Sequence, residues 1–80
     1  MSSRKIIGEN IRGFRRSIGL SQTEFAEKIN LNRSHLSSIE RGEENPTIDT
    51  LERVATVLGI PLHILMIERS YNWSQSKPKN

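Results

Sequence analysis

The chain has 80 residues, no cysteine, a formal net charge of +3 and a pI of about 9.8. This length allows one domain with a small core, which contact with a second subunit would enlarge. The lack of cysteine excludes a disulfide framework and a thiolate metal site. No apolar run approaches the roughly 20 residues that cross a bilayer, and no signal peptide is present, so we expect a cytoplasmic protein without a membrane partner. The mildly basic charge permits nucleic acid as a partner without proving it.

A basic amphipathic helix is predicted for residues 4 to 18, ended by Gly19. Its apolar residues recur at helical spacing. They are Ile7, Ile11, Phe14 and Ile18. Five arginines and lysines in this region stand against the single acid Glu9. Any one of these cations could simply face solvent, but their sum indicates a field that attracts phosphate.

Two short helices joined by a tight turn are predicted between Ser21 and Gly42. Ser21 and Glu24 form a capping box that begins the first of them. Asn30 tolerates the left-handed backbone that the turn requires, and Asn32 is a good N-cap for the second helix. The first helix buries a single apolar stripe, formed by Phe25, Ala26 and Ile29.

The second of these helices has two inward anchors and a polar outer side. Leu36 and Ile39 share the inner side, and hydroxyl and guanidinium groups point away from it. Such a slim helix fits the major groove of DNA, which is about 12 Å wide. We therefore predict that four residues read base edges: Arg33, Ser34, Ser37 and Ser38. Arg33 is the best candidate, because a guanidinium can contact O6 and N7 of one guanine together. His35 lies between the two sides, and we interpret it as packed or solvated.

A loop and a fourth helix follow. The loop runs from Gly42 to Pro46, Thr47 caps the helix, and Gly59 ends it. The predicted inward stripe of this helix is wide. It consists of Ile48, Leu51, Val54, Ala55 and Leu58.

A last short helix is predicted for residues 61–68, with Pro61 at its first position. It is apolar on nearly every side, whereas a surface helix should keep one polar side. We therefore predict dimerisation through four of its residues: Leu62, Ile64, Leu65 and Ile67. If this helix merely completed the core of a monomer, Ile64 or Ile67 would stay unexplained.

The sequence thus predicts one domain, residues 1–69, followed by a polar tail, residues 70–80. The tail lacks hydrophobic periodicity and ends in basic residues. Its aromatic residues, Tyr71 and Trp73, could pack over the dimer contact or, with less support, stack on single-stranded bases.

The chain resembles the Cro and repressor-type helix-turn-helix proteins, the XRE family, over about residues 6–67. Short elements spread along the chain carry this resemblance: Gly19-Leu20-Ser21-Gln22, Phe25-Ala26, Leu36, Ser38-Ile39-Glu40-Arg41-Gly42, Asn45-Pro46-Thr47 and Leu51. One departure is Asn30, where the family often has glycine. The resemblance implies an all-α, five-helix, lambda-repressor-like domain with the helix-turn-helix at its second and third helices.

The resemblance also implies roles for single residues. An ion pair between Arg15 and Glu40 would pin the first helix to the third and would be structural. In relatives, backbone amides of the loop hold a phosphate, which makes Asn45 and Thr47 candidates although two acids lie beside them. Charge and helix-end geometry predict four more phosphate contacts: Arg16, Gln22, Asn32 and Arg41.

The predicted function is regulation of transcription by a homodimer that binds double-stranded DNA. Two recognition helices about 34 Å apart would read a palindromic operator. We expect no ligand-sensing module beyond residue 80, and hence no small-molecule ligand and an output set by the protein's own concentration. The run from Arg33 to Ser37 is similar to restriction-modification controller proteins, which regulate their own promoter. A phage or plasmid repressor is the broader possibility.

An enzyme and a protein-binding module are the alternatives. His35 and His63 stand alone, and no glycine-rich phosphate loop or paired metal motif appears. We therefore predict no catalytic residue, no cofactor and no metal site. An antitoxin is a stronger alternative, because the same fold could bind a partner protein through its tail or last helix.

Overall fold

The computed structural model describes residues 2–68. In this range the chain forms four α-helices, one 3₁₀ helix and no strand: α1 (Ser3–Ser17), α2 (Gln22–Lys28), α3 (Arg33–Glu40), α4 (Ile48–Leu58) and the 3₁₀ helix (Leu62–Met66). The all-α fold predicted from the sequence is confirmed, with a 3₁₀ helix as its fifth element. The predicted tail, with Tyr71 and Trp73, lies outside the described residues. Within residues 2–68, no helix is long and apolar enough to cross a membrane.

The helix ends lie where the capping residues predict them. Ser21 and Glu24 exchange both hydrogen bonds of a capping box, with N to O distances of 2.8 and 3.0 Å. The backbone N–H of Ser21, followed by its side chain, therefore holds the pKa of Glu24 below its ordinary value. Asn30 adopts the left-handed conformation with φ 58°, and the side chain of Asn32 caps α3 by accepting the N–H of His35 at 2.7 Å. These contacts fix the turn between α2 and α3.

The core contains the inner residues of all five elements. Leu36 and Ile39 of α3 are 0% and 1% exposed, as the spacing predicts. Two isoleucines that the periodicity placed inward are exposed instead, Ile18 at 45% and Ile48 at 58%. Ile18 lies outside α1 as its C-cap, where the backbone leaves the helical direction, and Ile48 occupies the first position of α4, beyond the edge of the core.

Gly8 allows α1 to approach the carboxyl end of α3 very closely. A Cβ atom at this position would lie 2.4 Å from the carbonyl oxygen of Ile39 and 2.7 Å from that of Glu40. Both neighbours are backbone atoms that cannot rotate away, so a side chain here would push the two helices apart. This contact was not predicted, because a buried glycine inside a helix has no distinctive sequence pattern.

The last element differs from the prediction in length and in burial. It begins at Leu62 rather than Pro61 and ends at Met66. Leu65 is 0% exposed and fills the core of its own chain, so its predicted role in a dimer contact is wrong. Ile67 is 48% exposed and lies just beyond the helix. Leu62 and Ile64 are half-buried.

Candidate nucleic-acid interface

The outer side of α3 presents the residues that the sequence predicts as base readers. Arg33 and Ser34 are exposed, whereas Ser37 and Ser38, further along the helix, are half-buried. The inner side of the helix is held by apolar packing, so its outer side is available for a partner without loss of core contacts.

The amino end of α3 is stiffened by Asn32. Its Oδ1 accepts the backbone N–H of His35 and also the hydroxyl of Ser34, the latter at 3.1 Å. The side-chain oxygen of Asn32 is therefore occupied by the cap. A phosphate contact from Asn32 has to use its amide nitrogen, which is the donor group.

Arg41 folds back over the outer side of α3. Its guanidinium donates to Ser37 Oγ, to Ser38 Oγ at 3.4 Å and to Glu43 Oε1 at 3.0 Å. The hydrogen bond with Glu43 raises the pKa of Arg41 and, from the other side, lowers the pKa of Glu43. Two of the predicted base readers therefore already have a partner within the chain, although each hydroxyl still has its own proton to donate.

A second acid of the same loop contacts α3. His35 Nε2 lies 2.9 Å from Glu44 Oε2, at hydrogen-bonding distance, and both side chains are partly exposed. The sequence interpretation of His35 as packed or solvated missed this partner. The signal was present in the two adjacent acids after Gly42, but sequence spacing across a turn does not say which cation each acid meets.

Glu40 is the centre of a buried polar network behind the recognition helix. Its carboxylate accepts Arg15 Nε at 2.7 Å and Arg15 Nη2 at 3.0 Å, so the ion pair implied by the family resemblance is present and bidentate. Arg15 Nη1 also donates to the carbonyl of Leu20 at 2.9 Å. Both partners are almost fully buried, with Glu40 at 2% and Arg15 at 6% exposure. The network ties α1, the start of α2 and the end of α3 together.

Gln22 and Arg12 also turn toward this network. Gln22 Nε2 donates to Glu40 Oε1 at 3.0 Å, so its side-chain amide is directed inward rather than toward a phosphate. The predicted phosphate contact of Gln22 is left to its backbone N–H in the first turn of α2. Arg12 has its Nε 3.9 Å from Glu40 Oε1.

The remaining predicted phosphate residues lie on the surface. Arg16, Asn45 and Thr47 are exposed. Thr47 Oγ1 accepts the backbone N–H of Thr50 and donates to its hydroxyl, both at 3.0 Å. Its hydroxyl is therefore used in capping α4. Among residues 2–68, no group of three or more histidine and acidic side chains lies close enough to hold a metal ion.

This arrangement, a short recognition helix crossed by a preceding helix and capped at a tight turn, defines a helix-turn-helix protein. The chain belongs to the helix-turn-helix family HTH_3, of the XRE type, which matches residues 11–65. The proteins of this family that it matches are DNA-binding transcriptional regulators and not enzymes, in agreement with the sequence prediction.

Three relatives illustrate the similarity. The immunity repressor protein of Bacillus phage phi105 is 42% identical over 64 residues, which cover 80% of this chain and 44% of the repressor. A structure of SinR, the master regulator for biofilm formation, in complex with DNA is 44% identical, with a TM-score of 0.73 over 76% of this chain and 98% of that one. The restriction-modification controller protein C.AhdI of Aeromonas hydrophila is 32% identical, with a TM-score of 0.74 over 78% and 94% of the two chains. The chain spans only 44% and 59% of the full lengths of the phage repressor and of SinR from Bacillus subtilis.

Proposed function

We propose that the protein is a sequence-specific regulator of transcription that binds a palindromic operator as a dimer and inserts α3 into the major groove. The observation that carries this proposal is the two-sided character of α3. Leu36 and Ile39 anchor one side at full burial, Glu40 is locked by Arg15, and the opposite side presents a guanidinium and three hydroxyls. A rigid helix with this outer side can approach base edges without rearranging the core.

Base reading is assigned first to Arg33 and Ser34, which are exposed near the amino end of α3. In helix-turn-helix proteins the first residues of the recognition helix reach the bases, so these positions come closest to the groove floor. Ser37 and Ser38 contribute after Arg41 moves from their hydroxyls toward a phosphate. Arg16, Asn32, Asn45 and the backbone N–H groups of Gln22 and Thr47 complete the phosphate set in this proposal.

Substitutions of Arg41 and Glu43 should change the affinity for any duplex in opposite directions. Arg41→Ala removes one phosphate contact and lowers the slope of log K against log salt by about one unit. Glu43→Gln frees the guanidinium from an exposed ion pair that water and salt already screen, so affinity rises at most severalfold. Fluorescence anisotropy with a random duplex over a salt series measures both effects. If Arg41→Ala leaves the slope unchanged, Arg41 does not contact phosphate.

The dimer contact is proposed to lie around the end of the 3₁₀ helix. Met66 and Ile67 are 46% and 48% exposed, and Leu62 and Ile64 beside them are half-buried. Neighbouring apolar side chains left in water at one edge of a small domain favour contact with a second copy. Two copies joined here would present two recognition helices, as a site with two-fold symmetry requires.

Ile67→Asp should convert the dimer to a monomer, because the substitution places a charge in an apolar contact and leaves the core untouched. Sedimentation equilibrium measures the change in mass. Ile18→Asp is the matched control, since Ile18 is similarly exposed at 45% on the loop after α1. A persistent dimer in Ile67→Asp would place the interface elsewhere.

Restriction-modification controllers and phage or plasmid repressors are the two subtypes that the sequence favours, and both regulate their own promoter in this proposal. Similarity to C.AhdI and to the phage phi105 repressor supports one subtype each. The experiment that tests the proposed function is selection from a random duplex library. We expect a motif with two related half-sites about one helical turn apart. No enrichment over random duplex at low salt would overturn the proposal.

A further inference from the structure

Asn10 makes an unusual buried contact between the first and last elements of the fold. Its side chain is 2% exposed, and its Nδ2 donates to the carbonyl of Leu65 at 2.8 Å and to the carbonyl of Ile67 at 2.9 Å. One amide group therefore supplies hydrogen bonds to two carbonyls that lie on either side of Met66. The base-reading and phosphate assignments leave this residue without a role.

Among residues 2–68, no backbone N–H donates to either of these two carbonyls. The 3₁₀ helix is only five residues long, and its last backbone hydrogen bond, from the N–H of Ile67 to the carbonyl of Ile64, measures 3.4 Å. Ile67 itself has extended dihedral angles outside the helix. A buried carbonyl without a donor is costly, and an asparagine amide is the short side chain with two N–H groups on one atom. Asn10 therefore fixes the path of the segment that carries the exposed side chains of Met66 and Ile67.

α1, the helix that contains Asn10, is also fixed to the recognition helix α3. Gly8, two residues before Asn10, lies against the carbonyl oxygens of Ile39 and Glu40, and Arg15 binds Glu40 with two hydrogen bonds. α1 thus contacts the carboxyl end of α3 and the end of the 3₁₀ helix at the same time. It connects the proposed DNA-reading element to the proposed dimer contact as a single rigid body.

We infer that Asn10 is a positioning residue that sets the separation of the two recognition helices in the dimer, and hence the spacing of the half-sites. This inference rests on the proposed dimer. One base pair adds about 3.4 Å along the duplex and about 35° of rotation around it, so a combined shift and rotation of that size between the two recognition helices changes the preferred spacing by one base pair. Half-site sequence should not depend on Asn10, because α3 keeps its own anchors.

The test compares wild type, Asn10→Ala and Asn10→Leu in duplex selection, with sedimentation equilibrium on the same proteins. Asn10→Leu keeps the branching of the side chain at Cγ and loses both donors. For wild type we expect one half-site motif at one spacing. For both variants we expect the same motif spread over several spacings, with a dimer dissociation constant raised by about tenfold. Ile29→Val is the matched control, because Ile29 is 0% exposed as the C-cap of α2 and its truncation lowers stability without contact with the carbonyls of Leu65 and Ile67.

Each outcome decides the inference. The inference would be overturned if the two Asn10 variants kept the wild-type distribution of half-site spacings and the wild-type dimer dissociation constant. It would also be overturned if Ile29→Val broadened the spacings and raised the dissociation constant as much as the Asn10 variants do. A wild-type selection that enriches single half-sites would instead overturn the proposed dimer. If neither variant folds, proton exchange of the Asn10 side-chain amide in the wild-type dimer decides. Slow exchange supports the two hydrogen bonds, and exchange at the rate of an exposed asparagine overturns them.

Discussion

Glu40→Ala is expected to lower the free energy of unfolding by about 3–5 kcal/mol, because it leaves the buried guanidinium of Arg15 without its counter-ion. The carboxylate is 2% exposed and the Arg15 that donates to it is 6% exposed, so the guanidinium stays largely out of water when the carboxylate is removed. Small domains have only about 5–15 kcal/mol of stability in total, so the variant should be largely unfolded at moderate urea concentrations. Urea denaturation followed by circular dichroism measures the loss.

A control variant and a double variant distinguish the effect of breaking the buried Arg15–Glu40 pair from the effect of removing any acidic side chain. Glu27→Ala removes an exposed acid of α2 and should change stability by no more than about 0.5 kcal/mol. Arg15→Met combined with Glu40→Leu removes both charges and should cost less than Glu40→Ala alone. A cost for Glu40→Ala as small as that for Glu27→Ala would mean that the network does not hold α1 to α3.

Arg33→Ala should remove discrimination at one base pair of each half-site, by about 1–3 kcal/mol, which corresponds to the loss of a bidentate contact to guanine. Arg33 is exposed at the first position of α3, and the fold stability should stay the same because it packs against nothing in the core. Competition binding between the selected operator and operators substituted at each position measures the change.

Arg33→Lys is the matched control for this prediction. It keeps the positive charge but lacks the planar fork that meets O6 and N7 together. We expect Arg33→Lys to retain most of the affinity for random duplex and still to lose discrimination at the same position. Unaltered preferences in both variants would remove Arg33 from the base-reading set and leave the reading to Ser34 and its neighbours.

Local chemistry explains how much of the fold was predictable. Capping residues such as Ser21 and Asn32 act on backbone atoms within a few positions, so the sequence alone located the ends of α2 and α3. The spacing of apolar residues predicted the inner side of α3 correctly, because helical periodicity is also a local property of the sequence. It failed for Ile18 and Ile48, which occupy helix ends, because a periodic pattern does not show where the core stops.

The contacts that the sequence did not predict join residues far apart along the chain. Asn10 meets carbonyls 55 and 57 positions away, and Gly8 touches the backbone of α3. An asparagine or a glycine in a helical sequence does not indicate which distant residue it will contact. The assignment of site residues stays a prediction, and the sequence did not show that the side chains of Gln22 and Arg41 have hydrogen-bond partners within the chain. Only coordinates reveal that competition.

Methylation interference on the selected operator tests the central claim most directly. Methylation of guanine N7 places a methyl group on the major-groove edge that Arg33 is proposed to contact. We predict that methylation of one guanine in each half-site blocks binding by wild type and causes no further loss for Arg33→Ala. Binding that tolerates methylation at every guanine would contradict reading of the major groove by the outer side of α3. An equal loss for both proteins would remove Arg33 from the base-reading set.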